Sequence, residues 1–161
     1  MSRPHSVLVL GIGNSLLGDE GAGIAALNHL EQQQQTDQSV RLLDGGTLSF
    51  TLAGELDAES ALIVLDAAEL NSTPGTVKCF ENEAMDRFLG QAKRSAHEVG
   101  LLDLMDMARL MDNLPHRRAL IGIQHQQIDW STEPTPEVAG AIPEAAATAL
   151  ELIQKWTQVD A

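Results

Sequence analysis

The chain has 161 residues, and at about 150 residues per domain this length predicts a single domain over residues 1–161. Its 10 basic and 23 acidic residues give a formal net charge of −13, which disfavours nucleic acids and anionic membrane surfaces as partners. A single cysteine excludes an intrachain disulfide framework. No apolar run approaches the roughly 20 residues of a membrane span, so we expect a cytoplasmic protein.

The first half of the chain alternates apolar runs with helical patterns. Three runs rich in Val, Leu and Ile predict buried strands: Ser6 to Ile12, Val40 to Leu43 and Ala61 to Leu65. The second and third of these strands are predicted to end at Asp44 and Asp66. Helices are predicted over Gly21 to Gln33 and Thr47 to Leu56, with Thr47 as a candidate N-cap.

The second half continues the alternation. It predicts an edge strand at Thr76 to Phe80, a helix over Val99 to Met111, a strand at Ala119 to Gln124 and a last helix from Pro143 to Trp156. Proline would then occupy its favoured first helical position. The pattern predicts an α/β fold, a single three-layer domain with a mostly parallel twisted sheet and helices on both faces.

Polar side chains follow the predicted strands, where α/β sheets bind their ligands. They are Asn14, Asp19, Glu20, Asp44, Asp66, His97 and Glu98. If the strands are parallel, these residues gather at one edge of the sheet. Three of them also have a structural interpretation. The charge of Glu20 could interact favourably with a helix dipole, Asp66 could form a turn, and His97 could simply lie on the surface.

Other reactive residue types are interpreted as structural. Four histidines have no carboxylate partner in this pattern: His5, His29, His116 and His125. Cys79 is predicted to be an inert core residue of a strand. Two motifs are incomplete, because Leu16 replaces the third glycine of a dinucleotide fingerprint and Leu101 replaces the second histidine of a zinc-protease helix.

Four blocks in order resemble the hydrogenase maturation proteases over about Ser6 to Trp156. The blocks are Gly11-Ile12-Gly13-Asn14 with Asp19-Glu20-Gly21, Asp44-Gly45-Gly46-Thr47, Leu65-Asp66-Ala67, and Ser95-Ala96-His97-Glu98-Val99. The resemblance implies an endopeptidase that removes the C-terminal extension of a nickel–iron hydrogenase large-subunit precursor after nickel insertion. It also implies metal ligation by Glu20, Asp66 and His97, and a part for Asp44 in activity or substrate handling.

The implied mechanism uses nickel already held by the precursor, with no organic cofactor. An O/O/N ligand set suits such a borderline divalent ion, and Asp44 is the candidate general base. The partner would be the nickel-loaded precursor, and we expect a monomer. Three alternatives stay open: a metallopeptidase with its own zinc, a non-enzymatic nickel- or precursor-binding chaperone, and a nucleotide-binding α/β protein.

Overall fold

The computed structural model describes residues 6–33, 39–46, 50–91, 96–126 and 130–157, without the side chains of residues 50–51 and 96–99. The strands of the described chain are β1 (Val7–Ile12), β2 (Val40–Gly46), β3 (Ala61–Ala68), β4 (Val77–Glu81) and β5 (Arg118–Gln124). Its α-helices are α1 (Ala22–Gln33), α2 (Glu83–Leu89), α3 (Ala96–Leu110) and α4 (Pro136–Thr157). Two 3₁₀ helices, Gly18–Gly21 and Phe50–Glu55, are named here the first and second 3₁₀ turns.

The five strands form one sheet in the order β2-β1-β3-β5-β4. The first four of these run parallel, and β4 pairs antiparallel with β5 at one edge. Every residue of β1 and of β3 is buried, as expected of parallel strands covered on both faces. The mostly parallel sheet and its edge strand are therefore confirmed.

Helices cover both faces of the sheet, so the predicted three-layer arrangement is confirmed. Helices α1 and α4 pack against the face that carries Val9 and Ile63. Helices α2 and α3 and the second 3₁₀ turn cover the opposite face, which carries Leu10 and Val64. The predicted apolar stripe of α3 is buried there, and full burial of each leucine contributes about 1.5–3 kcal/mol.

Helix α1 lies unusually close to the carboxyl ends of the two central strands. A Cβ atom added at Gly23 would lie 2.3 Å from the Leu65 carbonyl oxygen and 2.4 Å from that of Ile12. The absence of a side chain at Gly23 is therefore what lets the helix begin directly against the backbone of β1 and β3. This contact places the turn before α1 at the carboxyl edge of the sheet.

The start of the last helix was predicted incorrectly. Pro143 lies inside α4, and Pro136 occupies the first helical position. The upstream residues Val138 and Ile142 are buried with the rest of the helix, and this packing stabilises the extra turns despite the interior proline. In the described part of the chain, no helix is both long and apolar enough to cross a membrane.

Two strand ends and one helix also differ from the predictions. Asp66 lies within β3 instead of ending it, and β2 continues beyond Asp44 to Gly46. The helix predicted over 47–56 is the second 3₁₀ turn, and its candidate cap Thr47 lies outside the described residues. The strands continue because hydrogen bonds to neighbouring strands extend past the apolar runs.

Helix α2 was not predicted from the sequence. The Phe88 ring stacks on Phe80 of β4 with the ring centroids 4.4 Å apart. Arg118 of β5 donates from Nε to Oδ1 of Asp86 at 3.0 Å, and a second guanidinium nitrogen contacts Oδ2. Seven residues are too few for a helix that is stable alone, so these tertiary contacts stabilise it.

Candidate functional site

Asp66 is a buried carboxylate near the carboxyl end of a central strand. It is 1% exposed, and its neighbour across the β3–β5 pairing is Gly122. Alternate residues of β3 contribute to the two cores, and Leu62 and Val64 contribute to the α3 side. Asp66 has the same parity and therefore faces α3. Burial of a carboxylate costs free energy that an apolar residue would avoid, which favours a functional role for this side chain.

Glu20 lies in the first 3₁₀ turn, directly before α1. Its backbone N–H donates to the Leu17 carbonyl at 3.2 Å, and a Cβ atom added at Gly13 would lie 2.1 Å from the Glu20 carbonyl oxygen. Asn14 shapes the preceding loop, since its Oδ1 accepts a bond from Leu16 N–H at 2.9 Å. The first 3₁₀ turn contacts β3. The fold thus brings the Glu20 turn against the strand that carries Asp66.

His97 lies in the first turn of α3, and the course of that helix indicates the edge of the sheet at which it begins. The chain that follows α3 is at the opposite edge, where His116 N–H donates to the Ala58 carbonyl at 3.2 Å, just before β3 begins. Helix α3 therefore starts near the carboxyl ends of the strands, on the face toward which Asp66 points. The side chains of His97 and Glu98 lie outside the described residues.

Of the predicted ligands Glu20, Asp66 and His97, the first two have described side chains and His97 does not. Among the side chains that are described, no group of three His, Cys, Asp or Glu residues is arranged to hold a metal ion. Two of the three predicted ligands lie in elements that touch, and the third begins a helix over the same edge. Two carboxylates and an imidazole are a donor set compatible with nickel or zinc.

Asp44 is separated from Asp66 by the fold. It pairs with Gly11 of β1, which in turn pairs with Leu65 of β3, so two strand spacings, about 10 Å, separate Asp44 from β3. Pairing with Gly11 also places Asp44 on the α1 face, opposite to Asp66. Its Oδ1 accepts a hydrogen bond from Gly46 N–H at 2.8 Å, and the Gly46 carbonyl accepts one from Gly13 N–H at 3.0 Å. Asp44 therefore shapes the loop that adjoins Gly13.

Two buried polar residues at this edge have structural roles that the sequence did not predict: Asp19 was expected at the edge but given no role, and Gln124 was expected only as the end of a strand. Asp19, 0% exposed, bonds Gln126 and Thr135 across more than 100 residues of chain. Gln124, 4% exposed, accepts hydrogen bonds from Leu70 N–H and Ser72 N–H at 2.7 and 3.3 Å, which fixes the loop after β3. No local sequence signal identifies either role, because every partner is distant in the chain.

Two residues interpreted as structural have different surroundings from those predicted. His125 Nε2 lies 3.7 Å from Glu69 Oε2, so this histidine does have a carboxylate partner. Cys79 lies in β4 but is exposed, not in the core. Its pKa is raised to about 11, first by partial burial of the sulfur and then by the charge of Glu81, partly offset by Lys155. A thiol with this pKa is protonated at neutral pH and is a poor nucleophile.

Fold and site together define an α/β protein with an acidic site at the carboxyl edge of its sheet. Residues 24–152 match the family model described as hydrogenase maturation protease. The chain is 39% identical over 155 residues to the hydrogenase expression/formation protein HupD of Rhodobacter capsulatus, covering 96% of this chain and 74% of that protein. It belongs to the hydrogenase maturation protease family.

Proteins of Escherichia coli extend the comparison to a maturation protease and to a solved structure. The hydrogenase 2 maturation protease of strain K12 is 31% identical over 150 residues, covering 92% of this chain and 91% of that protein. The solved hydrogenase maturating endopeptidase HybD superposes with a TM-score of 0.86 at 30% identity, covering 93% of each chain. These matches confirm the family expected from the sequence and the α/β fold.

Proposed function

We propose that this chain is an endopeptidase that removes a C-terminal extension from a nickel–iron hydrogenase large-subunit precursor after nickel insertion. Family membership supports the protease activity, and the maturation role in the names of its relatives supports this class of substrate. Nickel belongs to the substrate in this proposal. The presence of nickel in the precursor marks it as ready for cleavage.

The observation that carries the proposal is the buried Asp66 carboxylate beside the Glu20 turn. The start of α1 lies so close to β3 that a Cβ atom added at Gly23 would be 2.3 Å from the carbonyl oxygen of Leu65, the residue before Asp66. Glu20 comes three residues before Gly23 in a turn whose backbone is held at both ends. A rigid backbone beneath both acidic residues supports this proposal, because recognition of a metal ion would need side chains held in a fixed geometry.

Glu20, Asp66 and His97 would engage the nickel that the precursor already holds. Nickel so held supplies Lewis-acid polarisation near the scissile carbonyl or the attacking water. The three side chains then orient the precursor, so that only the loaded form presents its peptide bond correctly. Apolar side chains beneath the edge, including the fully buried Ile12 and Leu65, exclude water from below.

Asp44 is the proposed general base or water-positioning group. Its distance from β3 requires that the scissile bond lie toward β2, along the edge from Asp66. The substitution Asp44→Asn tests this role. It preserves the acceptor for Gly46 N–H and removes the basic carboxylate, so precursor binding should persist while cleavage is lost.

The decisive experiment measures the intact mass of a nickel-loaded precursor before and after incubation with this protein, beside a nickel-free control. We expect loss of a C-terminal peptide from the loaded form alone. Cleavage of both forms would contradict nickel recognition and indicate a protease that holds its own metal. With a precursor that its own protease cleaves, stable binding without a mass change would instead indicate a chaperone.

Matched variants test the ligand set in the same assay. Glu20→Gln, Asp66→Asn and His97→Ala should each abolish processing. Two controls remove the same groups elsewhere, namely Glu31→Gln on the exposed side of α1 and His116→Ala at the opposite edge of the sheet. Both controls should cleave normally, whereas normal cleavage by folded His97→Ala would refute the ligand assignment.

A further inference from the structure

Asp19 joins three segments that are far apart in the chain. Its side chain is completely buried, and Oδ2 accepts a hydrogen bond from Gln126 N–H at 2.8 Å. Oδ1 accepts one from Thr135 N–H at 2.6 Å, and the Thr135 hydroxyl lies 3.0 Å from both carboxylate oxygens. Two backbone N–H donors and one hydroxyl group hold this buried carboxyl group, so it connects the three segments rigidly.

The donors to Asp19 are Gln126 and Thr135, and Thr135 ends the described surface segment 130–135. Gln126 follows β5, and Thr135 is the N-cap of α4, because its carbonyl accepts a hydrogen bond from Ala139 N–H at 2.8 Å. Within the segment, Ser131 exchanges backbone hydrogen bonds with Leu16 and Gly18 at 2.9 and 2.8 Å. The segment is thus attached to the first 3₁₀ turn by side-chain and backbone bonds together.

A cleft adjoins this connection. It has a volume of about 350 Å³ and is lined by Gly18, Asp19, Trp130 and residues 131–135 except 132. Trp130 is 80% exposed at its rim. Asp19 therefore contributes to a cleft that a bound protein can reach, and it directly precedes Glu20 in the same turn.

We propose that Asp19 is a positioning residue that holds Glu20 in place and couples it to Gln126 and segment 130–135. The inference rests on the proposed function, since it takes Glu20 as a group that engages the nickel-loaded precursor. Adjacent residues of a short 3₁₀ turn cannot reorient independently, and Gly13 and Leu17 already confine the Glu20 backbone. Without the Asp19 side-chain bonds, only the backbone bond from Gly18 N–H to the Ser131 carbonyl, among the described residues, ties the start of the turn to segment 130–135, so Glu20 is held less firmly in its direction.

The test is a double-mutant cycle on affinity for the nickel-loaded precursor. Asp19→Asn and Glu20→Gln should each weaken binding about tenfold, and the double variant should be no weaker than either alone. Losses that multiply to about 100-fold would show that Asp19 does not act through Glu20 and would overturn the inference, as would wild-type affinity of folded Asp19→Asn. Asp57→Asn is the matched control, an exposed Asp that also accepts a backbone bond, from Glu59 N–H at 3.1 Å.

A milder pair of variants covers the case in which Asp19→Asn does not fold. Thr135→Val removes the hydroxyl donor and keeps the backbone donor, so affinity should fall about threefold, whereas Thr135→Ser should bind as the wild type does. Equal affinities for the Val and Ser variants would overturn the inference. Hydrogen exchange offers a readout apart from binding: in Thr135→Val it should accelerate at residues 18–21 and stay unchanged at residues 61–65.

The two proposals fail differently in these experiments. A wild-type chain that binds the nickel-loaded precursor without cleaving it overturns the proposed protease function, while the binding cycle still decides the coupling. A wild-type chain that neither binds nor cleaves a cleavable precursor overturns both. Cleavage by the wild type with multiplicative binding losses overturns the role of Asp19 alone.

Discussion

Gly23→Ala tests how closely α1 must approach the sheet. The new methyl group would lie 2.3 and 2.4 Å from two backbone carbonyl oxygens, whereas ordinary contact begins at 3.4 Å. The helix would have to withdraw by about 1 Å, because both obstructing atoms belong to fully buried strands and cannot rotate away. The withdrawal would move Glu20 relative to Asp66.

The expected change in stability combines two opposing effects. Overpacking of a well-packed interior costs about 1–3 kcal/mol, and alanine recovers up to about 1 kcal/mol through its better helix propensity. The two ranges combine to a net loss of about 0–3 kcal/mol, and we expect the middle of this range, a fall of about 1–2 kcal/mol in the free energy of unfolding. For a chain of this length, the melting temperature would fall by roughly 2–8 °C.

The assay is thermal unfolding of Gly23→Ala beside Gly140→Ala, the same substitution in α4. A Cβ atom at Gly140 would meet nothing within 4 Å, so that variant should be more stable by about 0.5–1 kcal/mol. Processing of the precursor by Gly23→Ala should fall by a factor of ten or more at temperatures where it is folded, since a displacement of about 1 Å can cost about 100-fold in rate. A Gly23→Ala protein that melts at or above the wild-type temperature would refute the reasoning.

Two further predictions concern α4 and the thiol. Pro143→Ala should raise the free energy of unfolding by about 1–2 kcal/mol, because the exposed site gains a backbone donor inside α4; an unchanged or lower melting temperature would contradict this. Because burial raises the pKa of Cys79 from 9.0 to about 11, alkylation should be slow at pH 8 and accelerate toward pH 11. The native state disfavours the thiolate, so the free energy of unfolding should be unaffected by this group below pH 9.0 and should decline as the pH rises through about 11. The variant Cys79→Ala should show a smaller decline and should still process the precursor. Rapid alkylation at pH 8, or loss of processing in that variant, would count against this account.

The sequence by itself determined the strands and most of the helices. Continuous apolar runs such as 61–65 can be buried on both faces only within a covered parallel sheet, and this information is local. The acidic carboxyl edge followed from the strand directions alone. The start of α4 was also present in the pattern, since Val138 and Ile142 continue its apolar stripe upstream of Pro143, but two prolines competed for the first helical position.

Only the tertiary structure distinguished the roles of the acidic residues. Asp19 and Glu20 are adjacent acidic residues with different surroundings. The Asp19 carboxyl group accepts hydrogen bonds from Gln126 and Thr135, whereas Glu20 lies in the part of the turn that precedes α1, and this turn contacts β3. Asp44 and Asp66 both follow apolar runs, but strand order and register place β1 between them and direct them to opposite faces. Each distinction depends on pairing between distant parts of the chain, for which a single sequence contains no periodic signal.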